Sequence, residues 1–543
     1  MKFRERLNTE LLFFDGAMGT ILQEKGLQSG ELPEIWNFTK EEVILDIHKQ
    51  YLEAGCNIVK ANTFGVNPFK MKDSGYTCEE LVEKGIHLAK RAIEETGRPA
   101  FAALDMGSLG KLLEPLGDLA FEEAYEAFRQ VCIAGEKAGA DLCLIETVND
   151  TYEIKAAVLA AKENTDLPVI VTMVFDENGK LLTGADMEAA VAMLEGLRVD
   201  ALGLNCGFGP DVMMKFLPTL RNICSLPIVV NPNAGLPVVI DGKTCFRVSP
   251  EDFAGMMKEV AQGGASILGG CCGTSPAHIR ALVQACAEIP PLKITEKNRS
   301  VVSSYTHGVL LNDRPKIIGE RINPTGKSRF KQALRENDLE YIYKEAISQQ
   351  ERGAHILDVN VGLPEIDEAE MMGRVITGLQ GITDLPLQID TSDAEAMERA
   401  LRLYNGKPLI NSVNGKQESM DMVFPLAAKY GGMIVCLTLD ENGIPDTSQG
   451  RIEIAEKIIK EAAKYGISKK DLLIDTLTLT ISTGQENARV TLEALEYVRN
   501  TLGVHTTLGV SNISFGLPQR EKVNTAFFTI ALSKGLSAGI INP

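Results

Sequence analysis

Three cysteines carry the sharpest chemical signal in this chain: Cys206 in LGLNCG, and the vicinal pair Cys271 and Cys272 in LGGCCG. Thiolates suit zinc, and an ion that takes four tetrahedral ligands but receives three from the protein keeps one position for a substrate. A fourth cysteine beside them would indicate a closed structural site, and none is evident in these motifs. The flanking Gly207, Gly269, Gly270 and Gly273 let the backbone turn tightly around a metal. Two alternatives compete. Buried cysteines commonly act as small hydrophobes, the reading given to Cys56, Cys132, Cys143, Cys224 and Cys286, and a cysteine pair can be a redox couple. The usual Cys-x-x-Cys redox spacing is absent, so the metal reading is preferred. Acids and amides recur in the same context, each closing a short apolar run. They are Asp15, Asn62, Asp105, Glu146, Asn205 and Asn233 in the first half, and Glu320, Asn323, Asp358, Asn360, Asp390, Asn411, Asp475 and Asn512 in the second.

Those runs are the elements that must hold the side chains in place. LLFFDGAM, NIVKANTF, AFAALDMG, LCLIETV, PVIVTMVF, ALGLNCG, PIVVNPNAG and ASILGGCCG read as eight buried parallel strands. Between them lie amphipathic stretches such as 122–138, where apolar residues return every three or four positions. The pattern restarts with PKIIGERIN, HILDVNVG, PLQIDTSD, PLINSVNG, GMIVCLTL, LLIDTLTL, TTLGVSNISFG and SAGIINP, again eight runs. An open doubly wound sheet rarely reaches eight strands twice, so the expected fold is α/β with two tandem (β/α)8 TIM barrels. Residues 1–292 are assigned to the first barrel, 293–313 to a linker and 314–543 to the second, whose C-terminal end is expected to be incomplete. In such barrels the chemistry sits on one rim, at the carboxyl ends of the strands. The cysteines, acids and amides fall there repeatedly.

Composition narrows the function classes. With 543 residues, 45% hydrophobic and 24% charged, the chain is too long for one ordinary core and has the balance of a globular protein. No apolar run approaches the roughly 20 residues of a membrane span, and the N-terminus lacks a secretory pattern, so a cytoplasmic address is expected. A formal charge of -18 argues against a surface that tracks nucleic-acid phosphates.

The set DGAMGT, IET, GLNCG and GGCCG closely resembles the homocysteine-binding barrel of the cobalamin-dependent methionine synthase family and of betaine-homocysteine methyltransferases, over nearly all of residues 1–290. The resemblance implies that Cys206, Cys271 and Cys272 hold zinc, that the homocysteine sulfur takes the open position, and that Asp15 and Glu146 receive its ammonium group. Asp15 could instead cap the helix after the first strand. From residue 315 onward GERINPTG, LDVNVG, QIDTSD, INSVNG, LIDTLTL and GVSNISFGLPQR resemble pterin-binding barrels. That resemblance implies that Asp390, Asn411 and Asp475 contact the pterin ring and that Glu320 and Asn323 line the same mouth. It also places Asn512 near the nitrogen that carries the methyl, as the candidate catalytic residue. Carboxylates accept the ring N-H groups, while asparagines both donate and accept. Thr391 or Ser392 is expected to cap the helix that follows, leaving Asp390 for ligand. Asp358 and Asn360 read equally as ligand contacts or as ties between loops, and Arg520 as a partner for a folate tail.

Joined, the two halves imply a methyltransferase that moves a methyl group from 5-methyltetrahydrofolate, via cobalamin, to zinc-activated homocysteine, giving methionine. The D-x-H-x-x-G cobalamin signature is not found, since Asp46 and His48 belong to a helical pattern without the glycine. Cobalamin is therefore expected from a cobalamin-binding domain outside this chain, with neither nucleic acid nor membrane as a partner. The competing readings are a direct, cobalamin-independent homocysteine methyltransferase of the betaine type and a non-catalytic zinc- and folate-binding scaffold.

Overall fold

Runs of valine, isoleucine and leucine buried on both faces can satisfy their backbone only by pairing side by side beneath a layer of helices, which is the parallel arrangement. The computed structural model describes residues 2–7, 9–240 and 243–543. Its first sheet contains β1 (Leu12–Phe13), β2 (Ile58–Lys60), β3 (Phe101–Met106), β4 (Leu142–Val148), β5 (Val169–Met173), β6 (Ala201–Asn205), β7 (Ile228–Asn231) and β8 (Ile267–Leu268). They pair in the order β1-β8-β7-β6-β5-β4-β3-β2. A parallel bridge between Phe14 and Ile58, with the Asp15 N-H donating to the Ile58 carbonyl at 3.0 Å, brings β1 to β2 and completes the ring.

The second ring is β9 (Lys316–Ile322), β10 (Ile356–Val359), β11 (Leu387–Asp390), β12 (Leu409–Asn414), β13 (Met433–Leu437), β14 (Leu472–Asp475), β15 (His505–Gly509) and β16 (Ala538–Ile541), a closed barrel in sequence order. All sixteen expected runs contain a strand of these two rings. The chain divides into two compact units, Met1–Met187 with Arg198–Lys297, and Glu188–Leu197 with Asn298–Pro543. Among the described residues no helix is long and apolar enough to cross a membrane.

Helix boundaries follow local chemistry. Thr77 accepts from the Glu80 N-H and Glu80 answers at the Thr77 N-H, a capping box that starts Cys78–Thr96, and Gly97 in the left-handed region (φ 63°) stops it. The amphipathic stretch read at 122–138 is the helix Phe121–Lys137. One cap differs from expectation. The helix Ala394–Leu403 is capped by Asp393, whose carboxylate accepts from the Ala396 N-H at 2.8 Å, and not by Thr391 or Ser392. The helix starts one residue later than the cap reading needs, so Thr391 instead accepts from the Asp393 N-H and hydrogen-bonds Glu368. The stretch read as a linker also holds an antiparallel hairpin, Val301–Ser303 with Gly308–Leu310, whose Val302 and Val309 are buried with Ile318, Ile356 and Leu409.

Candidate functional site

On the rim of the first barrel the Sγ atoms of Cys206, Cys271 and Cys272 lie within 4.8 Å of one another, with Cys206 and Cys272 at 4.0 Å. Cys206 follows β6 in the left-handed region (φ 55°), and Gly207 continues that turn at φ 73°. The loops beyond β6, β7 and β8 are laced by backbone bonds: the Cys206 N-H to the Asn231 carbonyl, the Cys271 N-H to Pro232 and the Ala234 N-H to Cys272. Glycine is required around the pair, since a Cβ on Gly270 would stand 2.4 Å from Thr274 Oγ1 and one on Gly273 2.1 Å from the Phe246 ring. The neighbouring thiols of Cys271 and Cys272 donate to Cys206 and hold its sulfur far below the usual thiol range, and the two donors are raised correspondingly. The donor set fits zinc, for bonds of about 2.3 Å in a tetrahedron place sulfurs about 3.8 Å apart.

The three sulfurs open into a cavity of about 310 Å³ whose walls include Asp15, Glu34, Lys60, Asp105, Glu146 and Thr147. Asp15 does not cap a helix: its Oδ2 accepts from the Lys60 N-H at 3.0 Å, and the N-cap of Met18–Glu24 is Ala17, with no side-chain cap bond. The Lys60 ammonium stands 3.6 Å from Glu146 Oε1 and 3.9 Å from Asp15 Oδ1. Burial pushes Asp15 up to about 7, against the pull of Lys60, and it also raises Glu146 and Asp105. Buried Asp15 Oδ1, Glu146 Oε2 and Asp105 Oδ1 have no hydrogen-bond partner. An unpaired buried acceptor is costly, and such groups concentrate where a ligand completes them.

Glu146 is aimed by strained backbone. The next residue, Thr147, is β-branched and yet has φ 61°. Asn205 at the end of β6 holds it from both sides, accepting from the Thr147 N-H at 3.0 Å and donating to Thr147 Oγ1 at 2.7 Å. Strain of this kind persists only where neighbours over-determine it, typically at functional sites.

The second rim is solvated differently. Asp390 ends β11 and its Oδ2 accepts from Asn360 at 3.0 Å and Asn323 at 3.3 Å. Asp358 on β10 accepts from Gln388 at 2.6 Å, and Asn411 stands in register with Asp390. Burial pushes Asp390 and Asp475 up to about 6, and Asp358 well above the carboxylate range. Glu320 Oε1 accepts from Ser511 at 2.9 Å, and Asp475 accepts from the Leu477 N-H at 2.7 Å. Asn512 lies exposed on the turn Val510–Ser514 that follows β15. Arg520 is tied into that same turn, donating to Ser514 Oγ and the Ser511 carbonyl, with its guanidinium over the Phe515 ring.

Of the residues singled out by sequence, the structure gathers Asp15, Asn62, Asp105 and Glu146 on the cavity with the three cysteines, and Asn323, Asp358, Asn360, Asp390 and Asn411 into one network. Asn62, though it lines the cavity, donates its side-chain amide to the Pro33 carbonyl and to Asn37 Oδ1. Sequence reasoning missed Lys60 and Glu34. Glu34 is buried, and its Oε1 accepts from the Gly65 N-H at 2.6 Å.

Residues 12–286 match the family described as homocysteine S-methyltransferase, and residues 319–542 match pterin binding enzymes. Over 99% of its length the chain is 34% identical to a methionine synthase of Mycobacterium tuberculosis and 33% identical to one of Mycobacterium leprae. It spans about half the length of these curated relatives, 48% of each. Among solved structures, the metallated form of the homocysteine methyltransferase MmuM from Escherichia coli is similar over 50% of this chain and 95% of that one, at 24% identity and a TM-score of 0.43. A dihydropteroate synthase from Xanthomonas albilineans with 4-aminobenzoic acid is similar over 45% and 92%, at 21% identity and 0.36.

Proposed function

The chain belongs to the homocysteine S-methyltransferase family, and from that membership we propose that its first barrel methylates the sulfur of homocysteine while its second holds 5-methyltetrahydrofolate as the methyl source. The observation that carries the proposal is the convergence of three thiols to within 4.8 Å beside a cavity with unpartnered carboxylates. Cys206, Cys271 and Cys272 would hold zinc, with the substrate sulfur as the remaining ligand. Bound zinc would deprotonate that sulfur at neutral pH, where a free thiol with a pKa of about 8.5 is mostly protonated, and so supply a nucleophile.

The chain's own residues do the positioning. Asp15 and Glu146 offer buried acceptor oxygens to the substrate ammonium, and the Asn205 clamp on Thr147 fixes the backbone from which Glu146 projects. On the second rim Asp390, Asn411 and Asp475 present acceptors and donors to the pterin edge, with Glu320 and Asn323 at its border. Asn512 stands near the methyl-bearing nitrogen, where a proton must arrive for the folate to leave. In this reading cobalamin, held by a cobalamin-binding domain outside the chain, would supply the methyl-carrying chemistry.

A second reading is direct transfer from a small donor such as betaine. It is favoured by the first module matching the homocysteine S-methyltransferase family on its own, over residues 12–286. Methionine formation from 5-methyltetrahydrofolate that requires added cobalamin supports the first reading, and formation from betaine without cobalamin or folate supports the second. Tight binding of both ligands with no transfer under either supply would leave a scaffold. Metal analysis with X-ray absorption, with and without homocysteine, tests the site itself: three sulfur ligands should become four when the thiol is added.

A further inference from the structure

The acid cluster of the first cavity has a resident cation that the sequence reading did not find. Lys60 ends β2 with its side chain almost fully buried, and among the described residues lining the cavity it is the one basic side chain. Its ammonium lies 3.6 Å from Glu146 and 3.9 Å from Asp15, while Asp15 Oδ1, Glu146 Oε2 and Asp105 Oδ1 have no hydrogen-bond partner. One ammonium against four buried carboxyl groups, Asp15, Glu34, Asp105 and Glu146, leaves capacity for a second, that of an aminothiol substrate. An amino acid, however, also brings a carboxylate into a chamber with acidic walls. A buried charge without a partner is strongly disfavoured, so this end of the substrate needs a cation or a set of donors. A lysine ammonium has three donors on a flexible stem and can span a wall carboxylate and a ligand carboxylate together.

We propose that Lys60 is a specificity-determining residue that receives the α-carboxylate of the substrate, so that the cavity reads both ends of a zwitterionic aminothiol. The assignment rests on the homocysteine reading above. It differs from a merely neutralising role in what it makes the cavity select: a lysine that acts only through its field sorts thiols by net charge and leaves zwitterionic homocysteine nearly unmoved, whereas a carboxylate receptor holds homocysteine as well.

The test is calorimetric titration of the zinc-loaded full chain with three thiols of equal reach: homocysteine, 3-aminopropane-1-thiol, which lacks the carboxylate, and 4-sulfanylbutanoate, which lacks the ammonium. In Lys60→Met, homocysteine and 4-sulfanylbutanoate should bind about 10- to 100-fold more weakly, the range for losing one charge-assisted hydrogen bond. The affinity for 3-aminopropane-1-thiol should hold or improve, which also reports that the variant is folded, and Lys60→Arg should keep the preference for a carboxylate. Equal weakening of all three thiols in Lys60→Met, or no weakening of homocysteine, overturns the assignment while leaving the homocysteine reading intact. A wild-type chain that binds none of the three takes both down.

Discussion

Asp15 offers a stability experiment with a definite sign. It is 2% exposed, and burial, reinforced by the Glu146 charge, pushes its carboxyl from 3.8 to about 7 in spite of Lys60. A carboxyl that keeps its proton longer in the folded chain than in the unfolded one makes folding less favourable as pH rises between those two values, because the folded state binds more protons there. At about 1.36 kcal/mol per pH unit, the full penalty is on the order of 4 kcal/mol, of which roughly 2 to 3 kcal/mol accrues between pH 5 and pH 8. Asp15→Asn removes the titration. In metal-free protein without thiol, the variant should therefore gain stability over wild type by that amount as pH is raised from 5 to 8. The single tryptophan, Trp36, is buried in the first unit, so its fluorescence during urea unfolding reports on this barrel. Stability curves that stay parallel across the range would refute the argument from burial. That outcome would mean that Lys60 dominates the site and that Asp15 is held as an anion, ionised in both folded and unfolded chains from pH 5 upward.

The remaining predictions concern metal, strain and the second rim. Replacing Cys206, Cys271 or Cys272 by alanine should each abolish stoichiometric zinc, measured by elemental analysis, because two thiolates no longer match a site built for three. Asn205→Ala removes both bonds that hold Thr147 at φ 61° and should cost about 1 to 3 kcal/mol of stability while raising the KM for homocysteine with zinc content unchanged. On the proposed assignment Asp390, raised to about 6 by burial, accepts two pterin N-H groups only as a carboxylate. Affinity for 5-methyltetrahydrofolate should thus fall about tenfold for each pH unit below about 6, and Asp390→Asn should weaken binding and flatten that dependence, both read by titration calorimetry.

The two barrels were legible because buried parallel strands and their crossover helices alternate with a period that few other folds share, and each expected run holds one. The cysteine site was legible for a related reason: positions just past β6 and β8 fall on one rim whatever the loops do. Lys60 was hidden by the same reasoning. NIVKANTF draws attention to Asn62 as the end of its run, but the strand stops at Lys60, whose buried side chain lines the cavity as well. Asn62, two residues on, is already spent on Pro33 and Asn37. Glu34 gave no signal because it lies in a short 3-10 turn, Pro33–Ile35, far in sequence from the Gly65 amide that orients it. The hairpin at 301–310 escaped because three-residue strands are too short to show alternation against a polar background.

The two rims raise their acids by the same cause, burial, yet they compensate it with different chemistry. Around Asp390 and Asp358 the compensation is by amides, Asn323, Asn360 and Gln388, which leave a carboxyl group neutralised only in part and able to accept neutral N-H donors. Around Asp15 and Glu146 it is by an ammonium held at 3.6 and 3.9 Å, beyond hydrogen-bond length, with further acceptor oxygens unpartnered. A neutral heterocycle with an edge of N-H groups gains little from a cavity already polarised by a lysine, whereas a zwitterion exchanges partners with it at both ends. The proposed division of labour, pterin in the second barrel and aminothiol in the first, therefore follows from how each fold solvates its buried carboxyl groups, and it requires that the two ligands not exchange places. Homocysteine should leave the pH profile of 5-methyltetrahydrofolate binding unmoved, and folate should leave the Trp36-reported stability of the first barrel unmoved; a shift in either would show that one cavity serves both ligands and would break the assignment.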